Sequence, residues 1–125
     1  MPKLLHYFAH PAQHMSRVND QMLKAARKVG GITRVDLYAE YPRYDINIDR
    51  EQQRLLDHDV IVLQCPLFWY SVPGLVKEWI DLTLEHGFAY GEGGDKLAGK
   101  SLMLALSAGG PESAYSPGGY QQHDL

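Results

Sequence analysis

Cysteine is nearly missing from this chain, and the one present, Cys65, excludes an internal disulfide and a cysteine-based zinc site. A single thiol is compatible with a reducing compartment. No apolar run approaches the roughly 18 residues of a membrane span, and the N-terminal run Leu4-Leu5-His6-Tyr7-Phe8 is too short for a signal peptide. The expected location is therefore the cytoplasm. Positive charge is not in surplus: the net charge is -3 and the pI is near 6.0. Without clustered Lys and Arg there is no general attraction to nucleic acid or to anionic lipid. Internal repeats and low-complexity tracts are lacking too, so nothing divides the chain.

The remaining composition, 45% hydrophobic and 22% charged, is that of a globular domain able to bury a core. Lys3 to Ala9 is a short apolar run leading into a loop, His10 to Met15. Ser16 supplies an N-cap hydroxyl, and Val18, Met22, Ala25, Ala26 and Val29 recur at helical spacing until Gly30-Gly31. Ile32 to Tyr38 has the side chains of a second strand. Asp49 with Gln52 three residues on resembles a capping box for a short helix to Asp57. Val60-Ile61-Val62-Leu63 suits a central parallel strand buried on both faces. Pro73 fits a helix N-terminus, with Leu75, Val76, Trp79, Ile80 and Thr83 as the buried stripe as far as His86-Gly87. Gly91 to Gly99 is a glycine-rich excursion, and Ser101 to Leu106 is a fourth strand.

This alternation implies one α/β domain over residues 1–125, a doubly wound parallel sheet with right-handed crossovers. A fifth strand and its helix, on the order of 30 residues or more, are expected to be lacking after the last strand.

Ligands of open α/β sheets bind beyond the carboxyl ends of the strands, and three loops should meet there. In the first, the backbone N–H groups of Ser16, Arg17, Val18 and Asn19, the Ser16 hydroxyl, the Asn19 amide and the positive end of the helix would form a phosphate pocket. Ser16 is equally well explained as an ordinary helix cap. This loop has neither G-x-G-x-x-G nor G-x-x-x-x-G-K-[ST], which disfavours a Rossmann dinucleotide turn or a P-loop there. His10 and His14 lack the further convergent ligands that a metal site needs, so no metal is expected. The second loop, Pro66-Leu67-Phe68-Trp69-Tyr70-Ser71-Val72-Pro73, is aromatic and must either cover a flat ligand or fill the space between helix and sheet. In the third, Gly109 and Gly110 let backbone N–H groups approach a ligand closely, or form a plain turn.

The order of H-P-x(4)-S-x-x-N from His10, the block HDVIVLQCPLFWYSVPGLVKEWID from His58, HGFAYGEGG from His86 and LAGKS from Leu97 resembles the flavodoxin-like NAD(P)H:quinone reductase family. Within it, the ancillary oxidoreductases of glutathione-gated bacterial potassium-efflux systems are similar over nearly the whole chain. The resemblance implies FMN or FAD as cofactor, NAD(P)H as co-substrate and a quinone or similar electrophile as acceptor. It implies that His10 and Ser16 to Asn19 serve the flavin phosphate side, that Pro66 and Leu67 to Tyr70 lie beside the isoalloxazine ring, and that Ala108, Gly109, Gly110 and Pro111 serve its pyrimidine end. Tyr115 matches a tyrosine that helps neutralise the reduced flavin, whereas Gln121 stands where relatives carry a histidine; Tyr120 or His123 would be the substitute. A homodimer is expected, and a potassium-efflux transporter is a further partner, with Tyr41, Tyr44, Ile46 and Ile48 as candidate contacts. Two alternatives to an enzyme stay open: a regulatory subunit that activates the transporter independently of turnover, and an inactive remnant.

Overall fold

The computed structural model describes residues 1–12 and 16–125. Four strands, β1 (Leu4–Phe8), β2 (Ile32–Asp36), β3 (Val60–Pro66) and β4 (Ser101–Ser107), form one sheet in the order β2-β1-β3-β4. Every neighbouring pair is parallel. Helices α1 (Arg17–Arg27), α2 (Leu37–Glu40), α3 (Ile48–Asp57) and α4 (Gly74–Thr83) make the connections. The winding reverses between β1 and β3, which sets the ligand crevice of such sheets beyond the carboxyl ends of those two strands.

Alternation along the strands sends successive side chains to opposite faces. Tyr7 reaches Glu51 of α3 through its hydroxyl, at 2.6 Å, and lies 5.0 Å from the Trp79 ring of α4. Its strand neighbour His6 turns the other way, toward Gln64, which in turn reaches Asn19 of α1. Thus α3 and α4 cover one face and α1 the other. The core under α3 and α4 contains Leu5, Tyr7, Ile61, Leu63, Cys65, Leu75, Val76 and Trp79, all buried. Burial pushes the Cys65 thiol up to about 11, so it remains a protonated, inert core residue.

Several expectations require correction. The second strand stops at Asp36, because the Asp36 carboxylate accepts the Ala39 N–H at 3.2 Å and starts α2, a short helix that periodicity did not show. Helix α3 begins one residue before Asp49: Asn47 is its cap, accepting the Arg50 N–H at 3.0 Å, while Gln52 is spent on Thr83 O and Glu85. Strand β3 runs on to Pro66, since Gln64, Cys65 and Pro66 pair with Ala105, Leu106 and Ser107. The buried positions of α1 are Asn19 and Leu23, whereas Val18 and Val29 are exposed. A polar residue holds the inward position there because its amide is hydrogen-bonded inside.

Among the described residues β4 pairs with β3 alone, and Leu102, Met103, Leu104 and Leu106 are exposed along it.

Candidate functional site

All four strands run the same way, so the loops after β1, β3 and β4 leave the sheet at one edge. Three backbone and side-chain bonds tie those strand ends together. Ala9 N–H donates to Gln64 O at 2.9 Å, Leu67 N–H donates to Ser107 O at 2.7 Å, and Asn19 Nδ2 donates to Ser107 Oγ at 2.7 Å.

At the first loop, Ser16 caps α1: its Oγ accepts from the Asn19 N–H at 3.2 Å and from Asn19 Nδ2 at 3.0 Å. Both acceptor positions of the hydroxyl are thereby used, and its hydrogen is left to donate elsewhere. Arg17 and Val18 are exposed on the outer side of the first turn, while Asn19 is 1% exposed and turned inward. Asn19 is therefore no open ligand group, contrary to the sequence expectation for its amide. His10 is half-buried, its Nδ1 accepts the Ala12 N–H at 2.9 Å, and burial holds its imidazole below the usual value. His14 lies outside the described residues.

The second loop is a tight turn in which Phe68 and Ser71 exchange backbone hydrogen bonds of 3.1 and 2.9 Å. Its corners, Trp69 and Tyr70, have φ of 49° and 60°. Positive φ at both corners is the geometry that asparagine and glycine ordinarily supply, and non-glycine residues held there store backbone strain. Trp69 is 89% exposed, so it does not fill the space between helix and sheet. Pro66 is buried at the end of β3. Leu67, Phe68, Trp69 and Tyr70 line a cleft of about 360 Å³ together with Tyr115 and Gln121.

The third loop brings Gly110 against Tyr115, where a Cβ on the glycine would lie 3.2 Å from the ring; a Cβ on Gly109 would meet nothing within 4 Å. Among the described residues, the N–H groups of Gly109 and Gly110 donate to no other backbone group. Ala108 and Pro111 are exposed beside them. Tyr115 follows a short 3-10 turn, Glu112–Ala114, and meets Tyr70 edge-on at 5.9 Å. Tyr120 is 90% exposed and borders a neighbouring cavity with Gly110, Pro111 and Gln121, not the aromatic cleft. The His123 ring stands edge-on to Tyr70 at 6.4 Å, and its carbonyl accepts the Tyr70 hydroxyl at 2.9 Å.

The residues present thus fit a planar, phosphate-bearing group: a serine hydroxyl with its hydrogen left to donate at a helix N-terminus, strained aromatics standing open, and, among the described residues, a glycine turn whose N–H groups donate to no other backbone group. The family model describing a flavodoxin-like fold matches residues 2–125. The chain belongs to this flavodoxin-like family. It is 49% identical over 117 residues to the uncharacterized NAD(P)H oxidoreductase YrkL of Bacillus subtilis, covering 94% of this chain and 67% of that protein. It is 47% identical over 123 residues to the glutathione-regulated potassium-efflux system ancillary protein KefG of Cronobacter sakazakii, covering 98% and 67%. Among solved flavodoxin-like structures, general stress protein 14 of Treponema denticola in complex with FMN superposes with a TM-score of 0.92 at 36% identity, over 98% of this chain and 71% of that one. An NADPH-quinone reductase from P. pentosaceus gives a TM-score of 0.85 at 31% identity, over 98% and 69%. The chain spans about two thirds of the length of these curated relatives.

One further motif needs the fold to interpret it. Gly94 to Ser101, GDKLAGKS, matches G-x-x-x-x-G-K-S, but in a P-loop that segment opens a helix. Here Lys100 and Ser101 lead into β4, and Lys100 Nζ donates to His58 O at 2.6 Å and Leu56 O at 3.3 Å, satisfying carbonyls at and just beyond the end of α3. The match carries no phosphate chemistry.

Proposed function

We propose that this chain binds FMN at the carboxyl edge of the sheet and works as an NAD(P)H-dependent oxidoreductase delivering two electrons to a quinone or a similar electrophile. The observation that carries the reading is the exposed, strained Trp69-Tyr70 turn facing Tyr115 and Gln121 beside the glycine turn. A soluble domain does not hold aromatic residues in solvent on an unfavourable backbone without a return in binding. The NAD(P)H oxidoreductase and quinone reductase names of the relatives, and the FMN in a structural neighbour, support the same assignment.

Bound there, a flavin supplies the two-electron chemistry, and the protein supplies binding, orientation and electrostatics. Ser16 and the first N–H groups of α1 take the phosphate. Trp69 and Tyr70, exposed at the cleft, would contact the ring and help to orient it. The Gly109 and Gly110 amides would stabilise negative charge at the far end, as preorganised donors do, with Tyr115 and Gln121 lining the cleft and the His123 ring edge-on to Tyr70. Titration of the purified chain with FMN, FAD and riboflavin, followed by NADH- or NADPH-driven reduction of benzoquinone, tests this. Stoichiometric uptake of FMN is the expected result, and a chain that takes up no flavin overturns the reading.

The 47% identity to an ancillary protein of a potassium-efflux system favours a second role for the same molecule, docking on such a transporter from the cytoplasmic side as a homodimer. Tyr41 is withdrawn from the candidate contacts, being 2% exposed with its hydroxyl bonded to Glu51, whereas Tyr44 is open. A variant without redox turnover that still activates efflux separates the two roles.

A further inference from the structure

The face of the sheet beneath α1 holds a chain of polar side chains running toward the site. His6 is 4% exposed, Gln64 2% and Asn19 1%. Gln64 Nε2 points at Asn19, 3.3 Å from its backbone O and 3.4 Å from Oδ1, so Gln64 Oε1 is the acceptor that faces His6 Nε2 at 2.9 Å. This fixes His6 as the Nε2–H tautomer. Asn19 Nδ2 then spends both hydrogens, one on Ser16 Oγ at 3.0 Å and one on Ser107 Oγ at 2.7 Å. Every bond in the chain donates in the same direction: His6 to Gln64, Gln64 to Asn19, Asn19 to two serines. Bonds aligned in this way polarise one another in a low-dielectric interior.

Ser16 also accepts the Asn19 N–H, so its two acceptor positions are full and its own hydrogen is left to donate. Ser107 closes β4, immediately before Ala108 and the glycine turn, and its carbonyl holds Leu67 at the start of the aromatic loop. One buried amide is therefore bonded to both ends of the proposed site.

We propose that Asn19 is a positioning residue and not a ligand: it holds Ser16 at the phosphate end and Ser107 at the ring end in one rigid frame, and restricts the Ser16 hydroxyl to donating. This rests on the flavin reading above. The class of group so selected is an ionised phosphate oxygen, which only accepts; a group that must donate to Ser16 finds no lone pair.

Two measurements test it. In the flavin-free protein, the Asn19 side-chain amide protons are expected to exchange slowly and to shift in the NMR spectrum on Ser16→Ala and again on Ser107→Ala. Shifts in neither variant overturn the clamp. In FMN titrations, both single variants are expected to weaken binding, and the double variant is expected to differ from the product of the two effects by threefold or more. A smaller departure shows independent serines and overturns the proposal. Asn19→Leu, if folded by circular dichroism, is expected to weaken both FMN and phosphate-free riboflavin, FMN the more because the Ser16 end is lost as well. A loss confined to FMN makes Asn19 a direct phosphate ligand, and unchanged affinities for both make it merely structural; each overturns the proposal. Where that variant does not fold, the serine cycle decides. If the parent chain takes up no flavin the functional reading fails, while the NMR result still decides the clamp.

Discussion

Trp69 and Tyr70 occupy the two corners of one tight turn, with φ of 49° and 60°, and Tyr70 is held there by Tyr115 and by the His123 carbonyl. Non-glycine residues in this region cost about 1–3 kcal/mol each. Replacing them with the pair this turn prefers, Trp69→Asn with Tyr70→Gly, is expected to raise unfolding stability in urea by about 1 kcal/mol or more. The same double variant is expected to weaken FMN at least tenfold by fluorescence titration. Higher stability with full flavin affinity would remove the turn from the site.

Gly110 lies against the Tyr115 ring in the glycine turn. A side chain there meets Tyr115 at 3.2 Å, whereas one at Gly109 meets nothing. Gly110→Val is expected to displace Tyr115 and abolish flavin retention with an unchanged far-ultraviolet circular dichroism spectrum. Gly109→Ala is the control and should keep most of the affinity. Equal flavin absorbance in Gly110→Val and parent would sink the placement of the ring.

The parts of the molecule that followed from pattern are those in which pattern and packing coincide. Val60 to Leu63 had to be central because a β-branched run cannot leave the core without loss, and the cap that Ser16 offered is the one that α1 uses. Asp36 and Asn47 were hidden because a single side-chain oxygen decided each boundary, with no periodicity to reveal it. Asn19 was expected to offer its amide to a ligand and is instead turned inward, since which way an amide faces depends on Gln64 and Ser107, far away in sequence. Likewise Tyr120 and Tyr115 are alike in type and neighbourhood, and the contact with Tyr70 separates them. Spacing could not have shown Glu51 as a buried residue at all.

Glu51 is fully buried and accepts from Tyr7 at 2.6 Å, Tyr41 at 2.5 Å, Trp79 at 3.0 Å and Arg54 at 2.5 Å. Arg54 also forks onto Glu40, so removing the carboxylate strands three neutral donors and part of a cation. Breaking a buried pair from one side costs about 3–5 kcal/mol. Glu51→Ala is expected to lose that much in urea unfolding, with Glu51→Gln intermediate because it keeps one acceptor. A loss below 1 kcal/mol in Glu51→Ala would mean that solvent reaches the cluster.

His6 gives the fold a pH dependence of definite sign. Burial is the dominant effect and lowers its imidazole below 6.5, with the nearby Arg34 acting the same way and the Gln64 bond opposing. Below 6.5 the unfolded chain therefore binds a proton that the folded chain resists, and stability present above that value is lost as pH falls toward the lowered one. His10 is lowered by burial too and adds to the same slope. The urea midpoint is expected to drop between pH 7.5 and 5, and His6→Gln in a His10→Asn background should flatten that drop. Because Nδ1 of His6 has no partner among the described residues, protonation gains no hydrogen bond to offset the charge. An unchanged slope in the double variant would place the titrating group elsewhere, and a slope of opposite sign would mean that His6 is charged in the folded protein.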